Sequence, residues 1–136
     1  MMDCMKDAIK ARSSYKKIGN IYCPDLQDKV TFSSVGFKHL IWKGNAARLK
    51  TDQQRRFKLI PVAAEILKKP GTLVANEDRT FQKTKNKGII SKTAHFWAFE
   101  GKHEEKTVRV IVRQFEGGQK HFFSVFEANK KSTPSE

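Results

Sequence analysis

Three consecutive segments in the last third of the chain have the alternation of residue types that is typical of β-strands. They are TAHFWAFEG at residues 93–101, EKTVRVIVRQF at residues 105–115 and QKHFFSVFEA at residues 119–128. The connections between them, GKHEE and EGGQ, are short and suit antiparallel hairpins. Because a sheet with an apolar face must bury that face, this region predicts an antiparallel meander packed against another layer.

The covering layer is expected from the first half of the chain. Residues 34–44 predict a helix that Gly44 ends, and residues 51–71 predict a longer helix with an apolar stripe at helical spacing. Pro61 lies inside the second segment and is expected to kink or divide it. The predicted fold is therefore α+β, with N-terminal helices packed on one face of an antiparallel sheet.

Shorter predicted elements complete this layout. A short amphipathic helix is predicted at residues 3–12, and short strands are predicted at residues 18–23 and 29–33. Residues 72–82 predict a strand or one arm of a hairpin. Residues 83–92, KTKNKGIISK, are rich in lysine and are predicted to form a basic loop.

A chain of 136 residues is expected to form one domain with a real hydrophobic core. We expect an N-terminal extension or helix at residues 1–17, the folded domain at residues 18–128 and a disordered tail at residues 129–136. The two cysteines are not arranged as a CxxC pair, which argues against a disulfide scaffold or a zinc knuckle. The N-terminus lacks the apolar core of a secretory signal, and a cytoplasmic location is expected.

The charge of the chain indicates the kind of partner that it binds. Lysine and arginine number 27 and aspartate and glutamate number 14, which gives a formal net charge of +13. Such an excess favours a polyanionic partner through counterion release and electrostatic steering. Nucleic acid, an anionic membrane surface and an acidic protein all meet this description, although no apolar run is long enough to span a membrane.

Several basic side chains have positions that suit phosphate chemistry. His39 and Lys43 lie four residues apart on a predicted helix and therefore share a face. Arg55 and Arg56 lie at opposite edges of the apolar stripe of the next predicted helix. The simpler interpretation is that His39 is a boundary histidine and that both arginines are solvated charges with partly buried stems.

The two central strand segments place further polar groups among apolar residues. In VRVIVRQ, the three valines occupy one face, and Arg109 and Arg113 occupy the other, at a spacing that suits adjacent phosphates. In HFFSVF, alternation predicts Ser124 on the same face as Phe122, with His121 on the opposite face. A serine at this position is either a small residue that fits where there is little space or part of a functional surface of the sheet.

Known chemical signatures are missing from the sequence. The histidines, including His95 and His121, have irregular spacing, so a metal site is not predicted. The chain has no GxSxG elbow, no phosphate-binding glycine loop and no dinucleotide fingerprint, and no cofactor is predicted.

An ordered set of five segments carries a family resemblance: VTFSSVGFKHLIWKG, RRFKLIPVAAEILKKP, HFWAFEG, VRVIVRQ and KHFFSVF. In order and spacing, this set resembles the phage-associated branch of the barnase–EndoU–colicin–RelE-like nuclease superfamily, over residues 18–127. The resemblance implies N-terminal helices on an antiparallel sheet of about four strands. It also implies a small metal-independent ribonuclease of the toxin or mobile-element type.

The resemblance assigns three catalytic candidates, which are His39, Arg56 and Ser124. The implied reaction is attack of a ribose 2′-OH on the neighbouring phosphate, which gives a 2′,3′-cyclic phosphate and a free 5′-OH. His39 has a pKa suited to acid–base work, Arg56 would stabilise the negative charge, and Ser124 would hydrogen-bond a phosphate oxygen. The second proton carrier stays open between His121 and His95.

Further candidates surround these three. Possible catalytic or phosphate-binding residues are Lys43, Arg55, Arg113 and His121. The expected RNA-binding residues are Arg48, Arg109, Lys83, Lys85 and Lys87. RNA, with tRNA among the candidates, is the expected partner, together with an acidic antitoxin or immunity protein. No membrane partner is expected.

Two other classes of function fit the same sequence. A non-catalytic nucleic-acid-binding module would use the basic surface with Phe and Trp side chains as stacking platforms. An interaction protein would use its basic face to dock an acidic partner. The binding module has no need of His39 or Ser124, whereas a nuclease needs both.

Overall fold

The computed structural model of the protein describes residues 4–43, 46–85 and 88–128. The predicted tail at residues 129–136 lies outside the described residues. The helices of this part of the chain are α1 (Cys4–Ile18), α2 (Ser34–Ile41), α3 (Lys50–Lys58) and α4 (Ile60–Lys68). Its strands are β1 (Asn20–Cys23), β2 (Asp28–Thr31), β3 (Trp42–Lys43), β4 (Ala46–Ala47), β5 (Leu73–Lys85), β6 (Gly88–His103), β7 (Lys106–Phe115) and β8 (His121–Ala128).

The main sheet has six strands in the order β1-β2-β8-β7-β6-β5. Strands β5 to β8 form the predicted antiparallel meander, and β1 pairs antiparallel with β2. Strand β2 joins β8 in parallel at one position, where Thr31 faces His121. The α+β class is confirmed, but the predicted count of about four strands is wrong because the two short N-terminal strands extend the same sheet.

The basic loop predicted at residues 83–92 is part of a long hairpin instead. β5 and β6 pair as far as Lys85 and Gly88, whereas the pairing of β6 with β7 stops at Ala94 and Phe115. The ends of β5 and β6 therefore extend beyond β7 as a two-stranded arm. Lysine content suggested a loop, but threonine and isoleucine residues of high strand propensity lie among the lysines, and Thr84 pairs with Ile89 across the arm.

One face of the sheet is covered by helices, and we call it the covered face. The valines of β7 at positions 108, 110 and 112 are fully buried there, together with Phe99 and Phe122. Helix α4 contacts β1, β6 and β7, and α2 contacts β8. The opposite face of the sheet, called the open face, carries Arg109, Ile111 and Arg113 of β7, as alternation along VRVIVRQ predicts.

The division of the second predicted helix is also confirmed. Helix α3 ends at Lys58, and α4 begins at Ile60 with Pro61 in its first turn. A proline is tolerated there because its missing N–H has no intrahelical partner at a helix start. After this break the two helices contact different strands, since α3 contacts β8 while α4 contacts β1, β6 and β7.

Helix α2 lies very close to β8, and Gly36 makes this possible. A Cβ atom on Gly36 would lie 2.3 Å from the carbonyl oxygen of Phe122 and 2.7 Å from the hydroxyl oxygen of Tyr15. Tyr15, from α1, is buried against Phe32, Phe37 and Phe122, so α1 contributes to the common core. The close approach places the next turn of α2, which carries His39, beside β8.

No helix among the described residues combines the length and the apolar character that crossing a membrane requires.

Candidate functional site

Strands β7 and β8 pair in two registers that are separated by a β-bulge. Ile111 pairs with Ser124, whereas the next residue of β7, Val112, pairs with Phe122. Phe123 is the extra residue, and the alternation of side chains along β8 shifts by one position at this point.

The bulge corrects the predicted orientation of Ser124. Alternation placed Ser124 on the same face as Phe122, and this prediction is wrong. Phe122 belongs to the core under the helices, whereas Ser124 lines a cavity on the open face. His121 pairs with Arg113 on that same open face. One extra residue therefore brings together two side chains, His121 and Ser124, that strict alternation would separate.

Arg56 joins α3 to this part of β8. Its Nη1 donates to Oγ of Ser124 at 3.1 Å and to the carbonyl oxygen of Val125 at 3.3 Å. Both Arg56 and Ser124 are buried. The carboxylate of Asp52, one turn earlier in α3, accepts from Nε of Arg56 at 3.3 Å. The guanidinium group is thus held in one orientation by a strand, a hydroxyl group and a carboxylate.

Arg48 precedes α3 and connects the same carboxylate to His39. Its Nε donates to the backbone carbonyl oxygen of His39 at 2.9 Å, and its Nη1 lies 3.5 Å from Oδ2 of Asp52. Its Nη2 lies 3.3 Å from Nε2 of His39. Because a guanidinium group can only donate, Nε2 of His39 carries the lone pair and Nδ1 carries the proton. The sequence assigned Arg48 only to RNA binding. Its contact with His39 depends on the tertiary structure, which brings the residues before α3 close to α2.

The surroundings of His39 keep its imidazole neutral. The ring stacks on Phe123 with a centroid distance of 4.3 Å. Burial, followed by the positive charges of Arg48, Arg56, Arg113 and Lys43, lowers the pKa of His39 from 6.5 to about 4. His39 is therefore unprotonated at neutral pH when no anion is bound.

A second histidine and arginine form a similar pair, and the arginine of this pair also contacts Phe123. Nε of Arg113 donates to Nε2 of His121 at 3.0 Å, and Nδ1 of His121 lies 3.4 Å from the carbonyl oxygen of Gln119. The guanidinium carbon of Arg113 lies 4.3 Å from the centroid of the Phe123 ring. Burial and then the charge of Arg113 lower the pKa of His121, and burial lowers the pKa of Arg113 itself.

The arginine–histidine cluster is the name used below for six side chains, which are His39, Arg48, Arg56, Arg113, His121 and Ser124. The structure brings the three principal candidates of the sequence together in it. Arg56 contacts Ser124 directly, while His39 is joined to them through Arg48 and Phe123. Each of the two histidines accepts a hydrogen bond from an arginine, His39 from Arg48 and His121 from Arg113.

Other predicted residues lie outside the cluster. Lys43 is exposed in β3 and affects His39 through its charge, and Arg55 is exposed on α3. Arg109 is paired with Glu100, with Nε and Oε2 separated by 2.9 Å. Lys83 and Lys85 belong to strand β5, but their side chains are outside what the structure describes, and Lys87 lies wholly outside the described residues.

His95 is held elsewhere on the sheet. It pairs through Nδ1 with the carboxylate of Asp78, and its Nε2 lies 3.2 Å from Oδ1 of Asn76. Its ring packs on Trp97, which contacts the core under the helices. Of the two histidines considered as a second proton carrier, His121 is the one that belongs to the cluster.

The positive charges of the cluster are guanidinium groups. Within residues 4–43, 46–85 and 88–128, His, Cys, Asp and Glu side chains do not gather in groups of three or more that could hold a metal ion. Comparison with family models, with curated proteins and with solved structures found no match. A functional conclusion therefore depends on the chemistry that these side chains can perform together.

Proposed function

We propose that the protein is a metal-independent endoribonuclease that cleaves RNA by 2′-OH attack on the adjacent phosphate. The products would be a 2′,3′-cyclic phosphate and a free 5′-OH. The observation that carries this proposal is the cluster itself: His39 stacks on Phe123, Arg113 lies over the same ring, and His39 and His121 each accept a hydrogen bond from an arginine. This arrangement supplies both proton carriers and cations within one small region.

A bound phosphate would change the hydrogen bonds of both pairs. Hydrogen bonds between two charged partners are shorter and stronger than those of a guanidinium group to a neutral ring. Phosphate oxygens would therefore compete with Nε2 of His39 for Arg48 and with Nε2 of His121 for Arg113. Release of the guanidinium groups frees the two imidazole lone pairs, and the phosphate charge raises the pKa of both rings.

The proton transfers then balance in one displacement. The 2′-oxygen attacks phosphorus while its proton passes to Nε2 of His39. The bond from phosphorus to the 5′-oxygen breaks, and that oxygen takes a proton from His121 in its protonated form. Arg56 and Arg113 would stabilise the negative charge on the phosphorane, and Ser124 can donate its hydroxyl hydrogen to a phosphate oxygen while it accepts from Arg56.

The wider surface supports an RNA partner. The net charge is +13, and guanidinium groups lie over aromatic rings on the open face, including Arg79 over Phe96 at 4.9 Å. The two-stranded arm adds Lys92, whose Nζ lies 5.7 Å from the centroid of the Phe115 ring, and the sequence of β5 ends with two further lysines. These groups suit a flexible anionic chain that places phosphates on cations and bases on rings. An acidic antitoxin or immunity protein would use the same charges.

A non-catalytic nucleic-acid-binding module is the second candidate. The pKa of His39, about 4 in the free protein, favours it, because a histidine with so low a pKa is a weak base. The same arginines and aromatic rings would then bind the strand without cleaving it. Cleavage activity separates the two candidates.

The test compares a short all-ribose single strand with a series of strands of the same sequence. Each strand of the series carries one 2′-deoxy nucleotide, at a different position. All strands are incubated with the protein in EDTA, and the product ends are analysed. We expect cleavage of the all-ribose strand, loss of cleavage at each deoxy position, and products with 2′,3′-cyclic phosphate and 5′-OH ends. Strict dependence on added magnesium, or products that end in 3′-OH, would exclude this mechanism.

A further inference from the structure

A cavity of about 110 Å³ on the open face adjoins the arginine–histidine cluster. Phe123 and Ser124 line both the cavity and the cluster, so the two share a wall. None of the steps described above uses the rest of the cavity. Its shape follows from how neighbouring strands are paired.

The floor of the cavity is a cross-strand row of mostly small residues. Ala75 pairs with Ala98, Ala98 pairs with Ile111, and Ile111 pairs with Ser124. With strands about 4.8 Å apart, this row extends roughly 14 Å from the edge strand β5 to the cluster. We call the depression above this row the trough.

The rows on either side of the trough carry large and charged side chains. On one side, Glu77 pairs with Phe96, and Phe96 pairs with Arg113. On the other side, Arg109 pairs with Phe126. Small residues between two rows of aromatic rings and guanidinium groups leave a slot with apolar walls. Phe96 and Phe123 meet edge to face at the end of the slot nearest the cluster, with centroids 5.8 Å apart.

The rim of the trough has both hydrogen-bond donors and acceptors. Nε of Arg79 lies 2.7 Å from Oε2 of Glu77, and Nε of Arg109 lies 2.9 Å from Oε2 of Glu100. The guanidinium carbon of Arg56 lies 5.8 Å from the centroid of Phe126. A planar group with apolar faces and a polar edge would find matching contacts in such a slot.

We propose that the trough binds one unpaired nucleobase of single-stranded RNA, next to the phosphate held by the cluster. This proposal rests on the proposed function and adds the form of the substrate. A base can enter the slot only when it is not stacked inside a duplex, because its faces must contact Phe96 or Phe126. The guanidinium groups of the adjoining cluster hold the neighbouring phosphate, which favours a nucleotide chain over an uncharged apolar ligand.

The test measures binding without cleavage. The probe is a fluorescein-labelled single strand of 2′-deoxy nucleotides, compared with the same strand carrying an abasic site at each internal position in turn, and with its duplex. We expect the single strand to bind at least tenfold more tightly than the duplex. We expect the abasic site at one position to weaken binding by about tenfold, because the strand then loses one stacking contact between a base and an aromatic ring.

Two substitutions fill the trough. Ala98→Leu acts at its centre, and Ala75→Leu acts on the exposed edge strand, where the fold is least disturbed. Ala47→Leu, on the exposed strand β4, is the matched control. Either trough variant should bind the intact strand about tenfold more weakly and should lose sensitivity to the abasic site, while Ala47→Leu should behave as the original protein.

The outcomes separate this proposal from the proposed function. Binding that depends on the trough, without any cleavage of RNA, would support the base site and contradict the nuclease. If the protein cleaves RNA, but its binding to the strand is affected neither by the abasic sites nor by Ala75→Leu, the base site is contradicted and the nuclease is not. Tighter binding to duplex, or binding of a protein partner that Ala75→Leu abolishes while strand binding is unchanged, would also overturn the base site.

Discussion

Nη1 of Arg56 and Oγ of Ser124 lie 3.1 Å apart, although 68 positions separate the two residues in the chain. The contact holds α3 against β8 near Ser124. It therefore joins the helical layer to the strand that carries the bulge. Because both side chains are buried, this hydrogen bond serves the fold as well as the candidate chemistry. The two roles can be separated by comparing stability with activity in the same variant.

Ser124→Ala is the variant that makes this separation. Arg56 keeps its contacts with Val125 and Asp52, so the free energy of unfolding should fall by only about 1 kcal/mol, the usual contribution of one hydrogen bond. Cleavage should fall by at least tenfold, measured at a temperature where the variant is fully folded. Ser91→Ala, on an exposed strand position, is the control. Unchanged cleavage by a folded Ser124→Ala protein would remove Ser124 from the mechanism.

Gly36→Ala tests the packing that brings His39 to β8. The added Cβ would overlap the backbone carbonyl of Phe122, which cannot move without disturbing the sheet. We expect the free energy of unfolding to fall by about 2–3 kcal/mol, as for overpacked cores, in a denaturant titration. Gly88→Ala, where nothing lies within 4 Å of the added atom, should change stability by less than about 0.5 kcal/mol. Equal stability of the two variants would contradict the close approach of α2 to β8.

The low pKa of His39 predicts a specific pH dependence of stability. A histidine with a folded-state pKa of about 4 and an unfolded value near 6.5 binds fewer protons in the folded state between these values. Its contribution is fully present above pH 6.5 and is lost as the pH falls towards 4. His121, whose pKa is also lowered, acts in the same direction, while the lowered pKa values of Asp25 and Asp28 matter only at more acid pH.

His39→Gln should therefore flatten the loss of stability between pH 6.5 and 4, measured by chemical unfolding at several pH values. His103→Gln, at an exposed histidine beside Glu104, is the matched control for the loss of an imidazole. Proton NMR of the original protein should give a pKa near 4 for His39, and addition of a non-cleavable RNA strand should raise it. A His39 pKa near 6.5 in the free protein would contradict the packing of its ring among the arginines.

Salt dependence tests the role of the arm. Binding to a single strand should weaken linearly in log–log form as salt increases, with a slope of about −0.7 for each phosphate contacted. Replacement of both Lys83 and Lys85 by Gln should reduce the slope by about 1.4 if each contacts one phosphate. The double variant Lys16→Gln and Lys17→Gln, at the end of α1, carries the same change in charge and should leave the slope nearly unchanged. Equal slopes for the two double variants would exclude the arm from the RNA interface.

Periodicity predicted the elements whose partners lie nearby in the sequence. The meander of β6, β7 and β8 and the break at Pro61 both follow from local patterns. A strand or hairpin arm was predicted at residues 72–82, but residues 83–92 were predicted as a basic loop, because the lysines obscure the strand pattern of residues 83–85 and 88–92. The number of strands was also wrong, because the attachment of β2 to β8 depends on a contact between distant segments.

The site was predicted only in part, because its geometry also depends on contacts between segments that are distant in the sequence. His39, Arg56 and Ser124 were all identified, but Ser124 was placed on the wrong face of the sheet. The reason is that a one-residue β-bulge cannot be recognised from the alternation of residue types along the strand. Arg48 was assigned only to RNA binding, since its contact with His39 depends on the turn of the chain between α2 and α3. The choice of His121 over His95 also needed the pairing of Arg113 with β8.

The most direct test of the central claim is the rate of RNA cleavage in EDTA by single histidine variants. His39→Ala and His121→Ala should each lower the rate by roughly a hundredfold or more, the usual contribution of a positioned acid or base. His95→Ala, which changes a histidine outside the cluster, should retain the rate of the original protein. Equal rates for all three variants, or no cleavage by the original protein in EDTA, would contradict the proposal that the arginine–histidine cluster cleaves RNA.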